Sequence, residues 1–155
     1  MGRAMILAAG RGERLRPLTD ATPKPLLQVG GRMLIEHHIE KLAAAGVEEI
    51  VVNTSHLADQ FAPALGDGAR WGVRLRYSYE GPEPLETGGG IRRALALLGA
   101  EPFIVVSADI VSDYDYAKLP AQPDGLAHLV MVPNPDFHPR GDFFLDGARL
   151  NEDGI

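Results

Sequence analysis

Five small or apolar residues, Met5-Ile6-Leu7-Ala8-Ala9, run directly into Gly10-Arg11-Gly12, and no other stretch constrains the fold of this chain as strongly. An unbroken apolar run this short, closed by glycine, reads as a strand buried on both faces, as in the middle of a parallel sheet. The segment after it is basic, holding Arg11, Arg14, Arg16 and Lys24. Glycines allow positive φ and close backbone approach, so that successive N–H groups can line a nest, while guanidinium and ammonium groups neutralise the anion it collects. Pro23 and Pro25 restrict the backbone on either side of Lys24. Together these residues predict a grip for phosphate groups. A dinucleotide fingerprint is excluded because Leu15 stands where its third glycine belongs, and a P-loop is excluded because Pro25, not Ser or Thr, follows Lys24.

Charge supports a small anionic ligand over a nucleic acid. The net charge is −6, but residues 1–32 carry +4 and the remainder −10, so the positive charge is expected at the proposed site on an otherwise acidic body. At 155 residues, 45% of them hydrophobic, the length suits one domain with its own core. There is no cysteine, hence no disulfide frame or thiolate metal site. With neither a membrane-length apolar run nor a signal-peptide pattern, the expectation is a cytoplasmic protein without membrane partners.

Strands and helices alternate along the rest of the chain. Residues 33–45 predict an amphipathic helix stopped by Gly46, with adjacent His37 and His38 pointing about 100° apart and so unsuited to joint metal ligation. Residues 49–53 predict a short buried strand, and a helix follows over about 57–65. Asn53 and His56 fall where α/β sheets bind ligands, although the Thr54-Ser55-His56 segment also reads as a turn with Ser55 as helix cap. Residues 73–79 predict an edge strand with Val73, Leu75, Tyr77 and Tyr79 inward. The loop Glu80–Gly90 carries three consecutive glycines before an apolar helix, suited to close approach of a flat ring or simply to flexibility. Residues 102–107 predict a strand buried on both faces. Asp109 beyond it is placed to hold a hard cation between phosphates, with Asp113 and Asp115 as cap and first turn of a helix at about 116–119. Residues 125–133 predict another core strand, and the terminal Asn151-Glu152-Asp153-Gly154 reads as a hairpin turn.

The stretch LAAGRGERLRPLTDATPKPL resembles, without a gap, the signature LAAGxGxRxxPLTxxxPKP of the sugar-1-phosphate nucleotidyltransferases. The stretches PKPLLQVGGRMLIEHHIEKLAAAG, LETGGGI and NPDFHPRGDFFL are most similar to the subgroup that uridylylates N-acetylmuramate-1-phosphate in peptidoglycan recycling. The resemblance implies a three-layer α/β/α sandwich with a doubly wound, mainly parallel sheet. It implies a reaction in which UTP and a sugar-1-phosphate give a nucleotide sugar and pyrophosphate, with Mg2+ as cofactor and small molecules as partners.

The resemblance also implies roles. Arg14 and Lys24 would be catalytic. Leu7, Ala8, Ala9, Gly10, Arg11, Gly12, Glu13, Asn53, Glu80, Glu86, Thr87 and Gly88 would bind nucleotide, the last four on the base loop, where many relatives carry Gln and Gly in place of Glu80 and Glu86. Asp109 would bind metal and, with Asn134 and Gly141, the sugar phosphate. Relatives continue past residue 155, so the chain reads as the N-terminal part of a catalytic domain, a monomer or small homo-oligomer. Mannose-1-phosphate guanylylation and a non-catalytic nucleotide-sugar-binding domain stand as alternatives.

Overall fold

β1 (Arg3–Leu7) forms where the apolar run predicts it, and its side chains alternate between two cores: Ala4 and Ile6 enter one, Met5 the other, all wholly buried. The computed structural model describes residues 2–151. The chain divides into two compact units, Met1–Pro123 and Asp124–Ile155.

In the first unit, β1 leads through a short helical turn (Glu13–Leu15), α1 (Leu18–Ala21) and a second turn (Lys24–Leu26) to a hairpin of β2 (Gln28–Val29) and β3 (Arg32–Met33). This hairpin is absent from the sequence expectations. Its connection, Gly30-Gly31 at φ +63° and +81°, has the left-handed pair that a two-residue hairpin turn requires. α2 (Leu34–Ala44) begins where the Glu36 carboxylate accepts from the Met33 N–H at 2.8 Å and ends before Gly46 at φ +83°. Next come β4 (Glu49–Thr54), buried throughout, α3 (Phe61–Leu65), β5 (Arg74–Tyr79), α4 (Glu86–Leu98) and β6 (Ile104–Ser107).

The four long strands form a parallel sheet in the order β5-β4-β1-β6. The chain steps from β1 outward to β5, then α4 carries it back to the far side of β1. β1 is therefore the switch strand, and the crevice at its C-terminal end is where such sheets take ligands. One face is packed by Ile35, Ile39, Leu42 and Phe61, the other by Ala94 and Leu98 of α4. This is the expected three-layer α/β/α arrangement with a parallel sheet.

Several elements depart from expectation. β6 lies at the end of the sheet, so Val105 is 39% exposed instead of buried on both faces. Along β5 the predicted alternation fails at its end: Ser78 is buried and Tyr79 exposed. The helix expected over 57–65 is a short 3-10 turn (Ala58–Gln60) followed by α3, and Ser55 donates to the Gly81 carbonyl at 2.8 Å in place of capping it. Tyr116–Lys118 is a single turn whose cap is Asp115, expected in the first turn behind an Asp113 cap; its carboxylate accepts from the Ala117 N–H.

In the second unit, residues 125–133 form no strand. An apolar run becomes a strand only by pairing its backbone, and among the described residues no segment pairs with this one. The unit does contain an unforeseen hairpin of β7 (Phe144–Asp146) and β8 (Arg149–Asn151), turning at Gly147 with φ +59°. The turn predicted at residues 151–154 extends beyond the described residues.

Candidate active site

The C-terminal ends of β1, β4, β5 and β6 open onto a cleft with two adjoining lobes of about 360 and 410 Å³, both walled by Leu7, Gly10, Gly12, Glu13 and Thr87. The two loop glycines do different work. Gly12 has φ +66°, and a Cβ on it would lie 2.9 Å from Thr19 Cγ2 and 3.2 Å from Lys24 Cβ, so the loop can fold against buried Thr19 only with glycine here. Thr19 Oγ1 in turn donates to the Gly12 carbonyl at 2.9 Å. Gly10, expected to need the same freedom, has no positive φ and no atom within 4 Å of where its Cβ would be. Its missing side chain keeps the cleft open.

Only part of the basic segment faces this space. Arg11 lines the first lobe, and Arg14 and Lys24 the second. Arg16 pairs with Asp20 at 3.1 Å, Arg32 with Glu40, and Arg3 lies at the opposite end of the sheet, where Glu49 also takes Arg74 and Arg76. The excess positive charge of residues 1–32 is thus spread more widely than the sequence implies.

The first lobe is completed by Ala9, Asn53, Glu80, Pro84 and Glu86. Asn53 and Glu80 are 3% and 6% exposed and are hydrogen-bonded to each other at 2.7 Å. The predicted glycine loop is a correction: α4 already begins at Glu86, so Gly88, Gly89 and Gly90 lie in its first turns with helical backbone. Gly89 and Gly90 are needed for close contact, not flexibility. A Cβ on Gly89 would lie 2.9 Å from Leu85 Cβ, and one on Gly90 2.3 Å from Glu80 Oε1. Gly88 is exposed and lines neither lobe. Glu86 itself has φ +59°, a conformation in which glycine is the least costly residue.

The second lobe adds Ala8, Leu15, Pro25, Ser107, Ala108 and Asp109. Here Lys24 Nζ donates to Asp109 Oδ2 at 2.6 Å. The ammonium group holds the Asp109 carboxyl below its ordinary range, against the opposing effect of partial burial. Lys24 is therefore anchored to a carboxylate in the ligand-free protein, not held out alone as its flanking prolines suggest. Ser107, Ala108, Leu15 and Pro84 are wall residues that the sequence reading missed; the rule that ligands lie at strand C-termini points to Ser107 and Ala108. His56 lines neither lobe, and its Nε2–H donates to the Thr19 carbonyl at 2.9 Å.

Asn134 and Gly141 belong to the second unit, where they meet: Asn134 Nδ2 donates to the Pro139 carbonyl at 3.0 Å, and a Cβ on Gly141, at φ +68°, would fall 2.5 Å from Asn134 Oδ1. His138 and Asp142 lie 3.2 Å apart in the same segment.

A parallel α/β sheet with a glycine-bearing, cation-lined cleft at its switch strand is the doubly wound arrangement whose backbone and side-chain donors can converge on an anion. The chain belongs to the nucleotidyl transferase family, whose model matches residues 3–134. It is 51% identical over 148 residues to the N-acetylmuramate alpha-1-phosphate uridylyltransferase of Neisseria meningitidis, covering 92% of this chain and 64% of that protein. It is 42% identical over 120 residues to the mannose-1-phosphate guanyltransferase of Aspergillus fumigatus, covering 76% of this chain and 33% of that one. Its fold matches the crystal structure of HddC from Yersinia pseudotuberculosis complexed with GMP-PN with a TM-score of 0.67, at 31% identity over 76% of this chain and 52% of HddC.

Proposed function

We propose that this chain forms the nucleotide-binding and catalytic part of an enzyme that transfers a uridylyl group from UTP to N-acetylmuramate-1-phosphate, releasing pyrophosphate. The observation that carries this is the convergence of Arg14, Lys24 and Asp109 on one lobe beside the Gly10–Gly12 loop. Similarity to the Neisseria meningitidis enzyme supports the choice of base and sugar.

The chemistry needs no protein nucleophile. A sugar-phosphate oxygen attacks the α-phosphorus, a new P–O bond forms, and the bond to the β-phosphate oxygen breaks with its electrons leaving on pyrophosphate. Catalysis then consists of alignment and charge neutralisation. The loop amides and Arg14 hold the β- and γ-phosphates. Lys24 spans the α-phosphate and the incoming sugar phosphate, releasing Asp109 as it does so.

The donor set suits Mg2+: Asp109 is an oxygen ligand with a 40% exposed side chain at the cleft wall. Among the described residues no cluster of three metal-ligating side chains exists; Asp109 would share the ion with phosphate oxygens and water, as Mg2+ commonly accepts, and with a second carboxylate that the family resemblance places beyond residue 155. Bound there, the ion would neutralise charge on the α-phosphate. Asn134 and Gly141 are assigned to the sugar phosphate by their resemblance to the family's sugar segment. A cytoplasmic location goes with this reading, and none of the described helices is long and apolar enough to cross a membrane.

Mg2+-dependent pyrophosphate release tests the reading, with UTP plus N-acetylmuramate-1-phosphate run beside GTP plus mannose-1-phosphate, on this chain and on one extended to its relatives' length. Release with the first pair alone is the expected result. Release with the second pair alone would replace both base and sugar, and nucleotide binding without release in either chain would favour a non-catalytic binding domain.

A further inference from the structure

Three buried hydrogen bonds at the floor of the cleft form a chain whose polarity is fixed from one end. The Ala8 backbone N–H can only donate, and it gives its proton to Asn53 Oδ1 at 2.7 Å. This makes the other end of the amide the donor, and Asn53 Nδ2 donates to Glu80 Oε1 at 2.7 Å. Glu80 Oε2 then accepts from the Leu85 N–H at 2.7 Å. Behind the pair, Gly90 leaves room for nothing else, since a Cβ on it would sit 2.3 Å from Glu80 Oε1 and 2.9 Å from Asn53 Nδ2.

Each Glu80 oxygen already holds a protein donor, and at 6% exposure the carboxylate presents almost no surface to a nucleobase in the cleft. The chain of bonds also links parts of the cleft far apart in sequence: Ala8, where β1 enters the glycine loop, and Leu85, immediately before the Glu86–Thr87 wall. We infer that Asn53 and Glu80 are positioning residues that fix the glycine loop against the Glu86–Thr87 wall, and that neither reads the base directly. The inference rests on the cleft being a nucleotide site.

Fixed polarity supplies the test. In Glu80→Gln only one acceptor remains for two donors, so one buried bond becomes a donor-to-donor contact. In Asn53→Asp two carboxylates face each other. In the double variant Asn53→Asp/Glu80→Gln, all three bonds return with the middle one reversed: the aspartate accepts from Ala8 N–H and from the glutamine amide, whose oxygen accepts from Leu85 N–H. Net charge is unchanged.

Binding of UTP and of GTP in the presence of Mg2+ is measured by calorimetry for the wild type, both single variants and the double, together with melting temperature. Each single variant is expected to weaken UTP binding roughly 10- to 100-fold, the scale of one unsatisfied buried polar group, or not to fold. The double is expected to recover both fold and affinity to within a few-fold of wild type. A double variant that melts like the wild type yet binds UTP as weakly as the singles would show that Glu80 or Asn53 touches the base, and would overturn the inference alone. So would a double that fails to fold, or singles that bind as the wild type does. A wild-type chain that binds neither nucleotide would remove the nucleotide reading, and the inference with it.

Discussion

Alanine at Gly12 and alanine at Gly10 should have opposite consequences, although the two residues are one position apart in the same loop. At Gly12 the backbone is left-handed at φ +66°, which costs an alanine about 1–2 kcal/mol. The added methyl would also sit 2.9 Å from Thr19 Cγ2 and 3.2 Å from Lys24 Cβ. Thr19 is 1% exposed and cannot yield outward, so overpacking adds about 1–3 kcal/mol. The sum, about 2–5 kcal/mol, corresponds to a fall in melting temperature of about 4–20 °C for a domain of this size. At Gly10 the backbone is ordinary and the methyl meets no protein atom within 4 Å. Stability there should stay level or rise by about 0.4–1 kcal/mol through the unfolded chain, while the methyl, standing in the cleft, weakens nucleotide binding. Urea unfolding of both variants, read as midpoint shifts at constant slope, with UTP titration of each, decides the matter. A Gly12→Ala protein within about 0.5 kcal/mol of wild type, or a destabilised Gly10→Ala protein with full affinity, would refute the division of labour argued here.

Lys24→Ala should reduce pyrophosphate release by orders of magnitude while moving the melting temperature by at most a few degrees, because a partly exposed ion pair contributes only about 0–1 kcal/mol; near-normal turnover would remove Lys24 from the reaction. His38, 2% exposed in α2, is held below its ordinary pKa first by burial and then by His37 and Lys41. The unfolded chain therefore takes up a proton below about pH 6.5 that the folded chain refuses, and stability should fall as pH drops from there, by up to about 1.4 kcal/mol per unit. A His38→Gln protein should lose that part of the slope, measured by urea unfolding from pH 7.5 to 5. Asp115→Ala should cost about 1 kcal/mol by removing the cap on the turn at Tyr116, and an unchanged unfolding midpoint would count against it.

The sheet was readable because its strands carry their own pattern: β1 and β4 are continuous apolar runs ended by Gly or Asn, and such runs have few alternatives to a buried parallel strand. Order within the sheet was not readable. Nothing in Ile104–Ser107 says that one side of it has no neighbouring strand among the described residues, and so Val105 was expected to be buried. Residues 125–133 went wrong for a related reason, since composition reports the tendency to pair and not the presence of a partner. At the site, the Gly10–Gly12 loop, Arg14, Lys24 and Asp109, singled out by the motif, line one lobe of the cleft. Side-chain partners were the illegible part: Arg16 turned to Asp20 and Glu80 turned to Asn53 are decisions made by packing. The three glycines at 88–90 look the same in sequence whether they loosen a loop or let a helix start close against a carboxylate.

The Lys24–Asp109 contact sets the terms on which the cleft accepts charge. Before anything binds, the cation and the anion of the second lobe already serve as each other's counter-ions, so an arriving polyphosphate meets a lobe far less positive than its count of basic residues implies. A phosphate alone must strip Lys24 from Asp109 and leave a bare carboxylate facing more negative charge; a divalent cation alone must displace the ammonium group and leave it unpaired. When the two arrive as one metal–nucleotide complex, each half of the broken contact gains a new partner at once. On the proposed reading, occupancy is an exchange of ions, not an addition of them, and the Lys24–Asp109 pair would favour the complex over either of its components.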